Sequence, residues 1–239
     1  MTGFVTALRW DVVVQARNGF YWATAFLVLA VGGLLRALPE AVRADQAVWV
    51  PALLAGNLPI TTFFFVAGLI LLERDEGTLA ALAVTPLSPA AYLASRTVTL
   101  TALATLETLA IIWIAFGMRG SWLLVLAGTV ALGVIYTGFG AALTTRYGSV
   151  NKLLLPAAVI VAALLLPLLP HFGLAPRAPF FLHPIEPPLT LLRAAYLPAG
   201  IGELAYGLCG SVAWCAVAFL WGERRIRRLI RDTQAGGGK

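Results

Sequence analysis

Long apolar stretches alternate with short polar breaks along this chain. Six stretches approach the roughly 20 predominantly apolar residues that a membrane crossing requires: Phe20–Leu38, Trp49–Leu72, Thr97–Gly117, Trp122–Leu143, Leu153–Phe172 and Ile201–Trp221. Together they occupy about half of the chain, which leaves no length for a separate soluble domain. The pattern predicts an all-α integral membrane protein with six transmembrane helices. It divides into an interfacial lead (1–19), a six-span domain (20–221) and a basic tail (222–239). In the lead, Phe4, Val5, Leu8 and Val12 recur near helical spacing, with Arg9, Gln15 and Arg17 around them. That suits an amphipathic helix lying at the membrane surface, or a plain polar leader to the first span. No small-residue cleavage pattern follows the first apolar run, so the lead is expected to stay attached.

Composition sharpens the class. Hydrophobic residues make up 60% of the chain and charged residues only 12%, and the mean hydropathy is +0.87. A soluble helical core would have to hide all six apolar segments from water, and that reading is rejected. Lys and Arg fall unequally on the two sides. Twelve of the 17, including Arg9, Arg17, Arg74, Arg96, Arg146 and the Arg224–Arg231 cluster, share the side of both termini. Positive-inside bias therefore predicts a cell-membrane protein with both termini in the cytoplasm. The basic tail is expected to meet anionic lipid headgroups rather than nucleic acid.

One break carries more information than the others. Glu73-Arg74-Asp75-Glu76 places four charges between two long apolar runs. The residues after it, Gly77 to Val84, read as a short helix stopped at Pro86. Two helical turns between spans suit a contact device better than a core element. Another break is unusually long: Pro167–Pro198 holds eight of the 14 prolines. Its apolar pieces, Phe180-Phe181-Leu182 and Leu189-Thr190-Leu191-Leu192, are too short to span. They predict re-entrant or interfacial helices between spans five and six that cap a cavity, the alternative being an ordinary loop with a hydrophobic patch. Phe180, Phe181, Leu191 and Leu192 are the candidate cap residues.

Catalytic chemistry is missing from the sequence. There is no phosphate-binding G-x-x-x-x-G-K-[ST] loop, no G-x-S-x-G and no H-E-x-x-H, so the chain is not expected to bind and hydrolyse ATP in the usual manner, and no cofactor is expected. Cys209 and Cys215 lie six residues apart on one span, about 9 Å of rise. That exceeds the roughly 7 Å a disulfide tolerates between Cα atoms, so they read as small packing residues. His171 and His183 have no metal-ligand spacing.

Polar groups inside the spans are few. Glu107 is the one acid well inside a span, at the middle of Thr97–Gly117. A carboxylate there costs about 2.5–3.5 kcal/mol on insertion scales, so it must meet a partner helix, a wet cavity or a proton. It is either a cargo contact or packing glue. Thr97, Thr101, Thr105 and Thr108 form a stripe beside it. Span two joins Asn57, Pro59, Thr61 and Thr62 to Phe63-Phe64-Phe65, mixed contacts that suit a greasy, weakly specific binding surface, the alternative being a lipid-facing aromatic run. The candidate lining is therefore Asn57, Thr61, Thr62, Phe64, Phe65 and Glu107. Gly128, Gly133, Gly138 and Gly140 on span four predict close helix approach.

Glu73-Arg74-Asp75-Glu76-Gly77-Thr78-Leu79, followed by Val84-Thr85-Pro86-Leu87-Ser88, Tyr92-Leu93 and Arg96, resembles the type-2 permeases of ATP-binding-cassette (ABC) exporters. In that family an acidic E-x-x-x-G-T-[LM] segment follows span two. It leads through a [TS]-P-[LV] turn and a tyrosine to a basic residue, here Arg96 where lysine is common. Small size and composition are similar to drug-export permeases of the fluoroquinolone type. The resemblance implies a permease subunit that exports a hydrophobic or amphipathic compound. Gly77–Val84 would be a cytoplasmic coupling helix docking a separate ATPase through Glu73, Glu76, Gly77, Thr78, Leu79, Leu82, Val84 and Pro86. It also implies a second permease copy, because six spans form half a pathway. A haem-exporter-type permease and a non-transporting six-span assembly protein are the alternatives.

Overall fold

A computed structural model describes residues 2–79, 87–117 and 119–236, and every regular element among them is helical. Helix α1 (Thr2–Arg17) turns at Gly19, whose φ of 76° is left-handed, into α2 (Phe20–Ala37). A short α3 (Glu40–Ala44) leads to α4 (Gln46–Pro59), a π-helical turn (Ile60–Phe64) and α5 (Phe65–Asp75), which run on as one 30-residue apolar rod. Helix α6 (Pro89–Phe116) and α7 (Trp122–Thr144) form the next pair. Then come α8 (Val150–Leu164), the single turn α9 (Leu168–His171), a 3-10 turn (Ala178–Phe180), α10 (Glu186–Ala194) and the long α11 (Ile201–Gly236).

Several boundaries differ from the hydropathy pattern, each for a local reason. Helix α6 starts well before Thr97 because Ser88 caps it, its Oγ accepting the Ala91 N–H at 3.1 Å, with Pro89 in the first helical position. Helix α11 continues past Trp221 to Gly236. Its far end is no free tail, since Ile226, Leu229 and Ile230 are buried against Val66, Leu69, Ile70 and Leu93. In the fifth apolar stretch the regular helix ends at Leu164, three residues before Pro167. Its 15 residues rise about 22 Å, short of a bilayer's roughly 30 Å hydrocarbon core. By length and composition five helices qualify as spans among the described residues: α2, the α4–α5 rod, α6, α7 and α11.

Helix α7 is the hub. It packs against α11, α6, α10 and the α4–α5 rod, while α8 rests lightly on it at the edge. The close approach expected from its glycines is present at all four. A Cβ on Gly138 would lie 2.6 Å from the Ala218 carbonyl, and one on Gly140 would lie 2.7 Å from the Phe63 carbonyl. Gly133 faces Thr101 and Gly128 faces Leu192 just as tightly. Outward faces stay apolar: Trp22, Phe26 and Leu29 on α2 and Leu155 on α8 are each at least 70% exposed, as lipid-facing side chains should be.

The break in the α4–α5 rod follows from Pro59. Proline has no N–H, so the Ala55 carbonyl four residues back loses its helical partner. The fully buried Tyr136 of α7 fills the gap, its hydroxyl donating to Ala55 O at 2.9 Å. Thr62 Oγ donates to Leu58 O at 2.7 Å on the same side. One proline thus fixes where α4 and α7 must meet.

Candidate functional site

The acidic break after span two sits on a buried ion cluster. Arg96 of α6 is 3% exposed. Its Nε lies 2.9 Å from Asp11 Oδ1 of α1, and its Nη2 pairs with Glu73 Oε1. Tyr92 Oη donates to the other Glu73 oxygen at 2.5 Å, and Ser95 Oγ donates to Asp11. The guanidinium also lies 5.2 Å from the Tyr92 ring centroid, a cation–π distance. Burial raises the Asp11 carboxyl above its ordinary value against the opposing pull of Arg96 and Ser95. Nearby, Gln15 Nε2 donates to Thr99 Oγ at 2.8 Å. The cluster therefore locks α1 and the end of α5 onto the start of α6.

Beyond Glu73 the chain is presented outward. Asp75, Glu76, Gly77 and Thr78 are exposed, and Gly77 has a φ of 72° that a side chain would strain. Thr78 Oγ donates back to Glu73 O at 3.0 Å. Leu79 differs from its neighbours: it is 2% exposed, inside the cluster of Val66, Leu69 and Ile70. It anchors the segment to the bundle and leaves the acidic positions facing out. Leu82, Val84 and Pro86 lie outside the described residues.

Glu107 meets span two directly. Asn57 Nδ2 donates to its Oε1 at 2.6 Å, and Thr61 Oγ donates to its Oε2. Asn57, Thr61, Thr62 and Glu107 are all buried within this one chain. Phe63 is fully buried, while Phe64 and Phe65 are half-buried, Phe65 edge-on to Phe20 at 4.3 Å between centroids. Two of the four stripe threonines bond their own helix, Thr97 to Leu93 O and Thr105 to Thr101 O, whereas the buried hydroxyls of Thr101 and Thr108 have no partner among the described residues. Thr97, Thr101 and Thr105 also line an apolar groove of about 480 Å³ with Val130 and Val134 of α7.

On the opposite end, the cap residues divide. Leu191 and Leu192 are buried, since α10 inserts between α7, α11 and α4. Phe180 is half-buried and Phe181 is 47% exposed, its carbonyl accepting from Tyr206 Oη at 2.7 Å. An ion cluster that sequence reasoning missed pins this insertion. Glu186 is fully buried and pairs with Arg177 at 2.5 Å and with Arg193, and Thr190 Oγ accepts from both arginines. An acid opening a helix just before a proline pair was its available signal. His171 packs here too, in contact with Val48 O at 2.8 Å.

Apolar rods around a glycine-lined hub, a charged segment held out at one end and a polar knot in the middle define a multi-pass helical membrane protein. The comparisons with known proteins narrow this further. The model of the fluoroquinolones export permease protein family matches residues 2–233. A fluoroquinolones export permease protein of Mycobacterium tuberculosis (strain CDC 1551 / Oshkosh) is 34% identical over 239 residues, covering 95% of this chain and 98% of that protein. The corresponding protein of strain ATCC 25618 / H37Rv matches to the same extent. The chain belongs to the fluoroquinolones export permease protein family.

Proposed function

We propose that the chain is the membrane subunit of an ATP-driven ABC exporter that moves fluoroquinolone-like or other amphipathic compounds out of the cytoplasm. The family assignment supports the transport reading. The observation that carries the coupling is the exposed acidic segment Asp75–Thr78, braced from behind by Arg96, Tyr92 and Leu79. A partner ATPase closing on such a braced segment would move α1, the α4–α5 rod and α6 together.

In this reading both termini are cytoplasmic and the basic end of α11 lies near anionic headgroups. Val150–His171 makes the sixth crossing, its 22 residues rising about 33 Å if the turn between α8 and α9 is included. Helix α10 is the re-entrant outer cap. Two copies enclose the pathway, with span two as a main wall that presents Phe64 and Phe65. Asn57, Thr61 and Thr62, tied to Glu107, hold that wall in shape.

Co-purification with candidate ATPases tests the coupling. The double variant Asp75→Lys, Glu76→Lys should lose the ATPase while inserting normally, because both side chains are exposed. Undiminished association would count against docking through this segment.

A further inference from the structure

A cavity of about 260 Å³ opens at the end of the molecule opposite the Glu73 segment, where the last turn of α10 meets the first turn of α11. Arg177, Arg193 and Glu203 supply its charged side, and Leu197 and Pro198 an apolar one. It is smaller than the roughly 300–1,000 Å³ of drug-sized sites, so it fits a headgroup-sized fragment.

The two arginines differ in what they have left to donate. Arg177 is fully engaged, its Nε on Glu186, its Nη2 on Thr190 and its Nη1 on Glu203. Arg193 gives only its Nη2, shared between Glu186 and Thr190. Its Nε and Nη1 meet no acceptor among the described residues, and neither is closed off from solvent, the side chain being 17% exposed. Glu186 lies buried between the two guanidinium groups and offsets one of their charges. Glu203 is 52% exposed and pairs with Arg177 at 3.4 Å, not with Arg193. Arg193 is therefore a cation with open donors on the cavity wall, which calls for an anion. The surroundings select which anion. Helix α11 qualifies as a span, and its first turn lies where a span leaves the hydrocarbon. Leu197 on the rim and Ile201 at the start of α11 are 52% and 88% exposed. A small soluble anion gains nothing from these side chains, whereas the acyl chains of a lipid cover them.

We propose that this cavity holds the phosphate of a membrane phospholipid. The phosphodiester accepts from the open donors of Arg193 in a charge-assisted hydrogen bond, and the glycerol and upper acyl chains lie over Leu197 and Ile201. Basic recesses between spans suit lipid headgroups for this reason. Arg193 also grips Glu186, the buried acid of α10, so a bound phospholipid ties the inserted α10 to the bilayer surface. Inorganic phosphate offers the same charge without the chains and is the competing source. The site needs only a bilayer around the chain, neither an ATPase nor a direction of transport.

The test uses the full chain in dodecyl maltoside. The probe is a phosphatidylglycerol with a photoactivatable diazirine on its acyl chain close to the glycerol, and crosslinks are mapped to peptides by mass spectrometry. Residues 193–203 should be labelled, and unlabelled phosphatidylglycerol should displace the probe there. Diacylglycerol with the same chains lacks the phosphate, and losing a charge-assisted hydrogen bond should make it compete about tenfold less well or worse. Arg193→Gln should lower the labelling by a similar factor. Because that change also touches Glu186, Ala199→Phe is the second variant. It fills the cavity from its lining and leaves both arginines and Glu186 in place, so it should lose the label at the wild-type melting temperature. Labelling at the basic end of α11 should stay the same in both variants. Equal competition by diacylglycerol, or undiminished labelling in either folded variant, overturns the proposal. Inorganic phosphate that displaces the probe as well as the phospholipid does would assign the site to a soluble anion and overturn it too. Loss of ATP-driven export with labelling intact would count against the coupling reading and leave this one standing.

Discussion

Replacing Glu107 separates its two possible roles. Its two oxygens are held by Asn57 and Thr61 across the α4–α6 contact. In Glu107→Gln the amide oxygen can still accept from Asn57, and its NH2 can donate to the Thr61 hydroxyl, so little should be lost. In Glu107→Leu two buried donors lose their acceptor at about 1–3 kcal/mol each, a destabilisation of roughly 2–6 kcal/mol. For a chain of this size that lowers the melting temperature on the order of 10 °C. Thermal denaturation in detergent reads the stability, and vesicle transport of matched cationic and neutral compounds reads the function. The structure predicts a near-native Glu107→Gln that exports both cargoes alike, and a strongly destabilised Glu107→Leu. A stable Glu107→Leu, together with selective loss of cationic export in Glu107→Gln, would refute the packing role and make the carboxylate a charge filter.

Tyr136→Phe removes only the hydroxyl that serves the Ala55 carbonyl. It should cost about 1–3 kcal/mol, measured by the same melts; an unchanged melting temperature would mean that the Pro59 break is satisfied otherwise. Burial lowers His183 below its ordinary value of 6.5. Its contribution to stability is therefore full above that value and is lost as pH falls through the lower folded pKa, because the unfolded chain takes up the proton first. The wild type should lose more melting temperature between pH 8 and pH 5 than a His183→Gln variant. Equal slopes would show that His183 does not titrate differently on unfolding.

Hydropathy alone located α2, α7 and the α4–α5 rod nearly to their ends, because a lipid-facing helix must be apolar along its length. The glycines of α7 likewise disclosed where helices touch, since nothing larger fits at Gly138 or Gly140. What stayed hidden was the pairing of distant charges. Asp11 read as one polar residue in a leader, and nothing local says that it meets Arg96 across 85 positions. Leu79 looked like a docking contact because it adjoins the acidic break, but a leucine next to charges can face either way, and here it faces inward. Glu107 was conspicuous as the lone mid-span acid. Its partners Asn57 and Thr61 were noticed separately, for a different role.

The central claim is that ATP hydrolysis by a partner drives export through the braced Glu73–Thr78 segment. Inverted membrane vesicles containing this chain and its co-purifying ATPase test it most directly, with ATP-dependent uptake of a fluoroquinolone as the measurement. The account predicts uptake that needs ATP and disappears in the Asp75→Lys, Glu76→Lys variant. ATP-dependent uptake that persists in that variant, or hydrolysis by the docked ATPase with no uptake of any amphipathic compound, would contradict it.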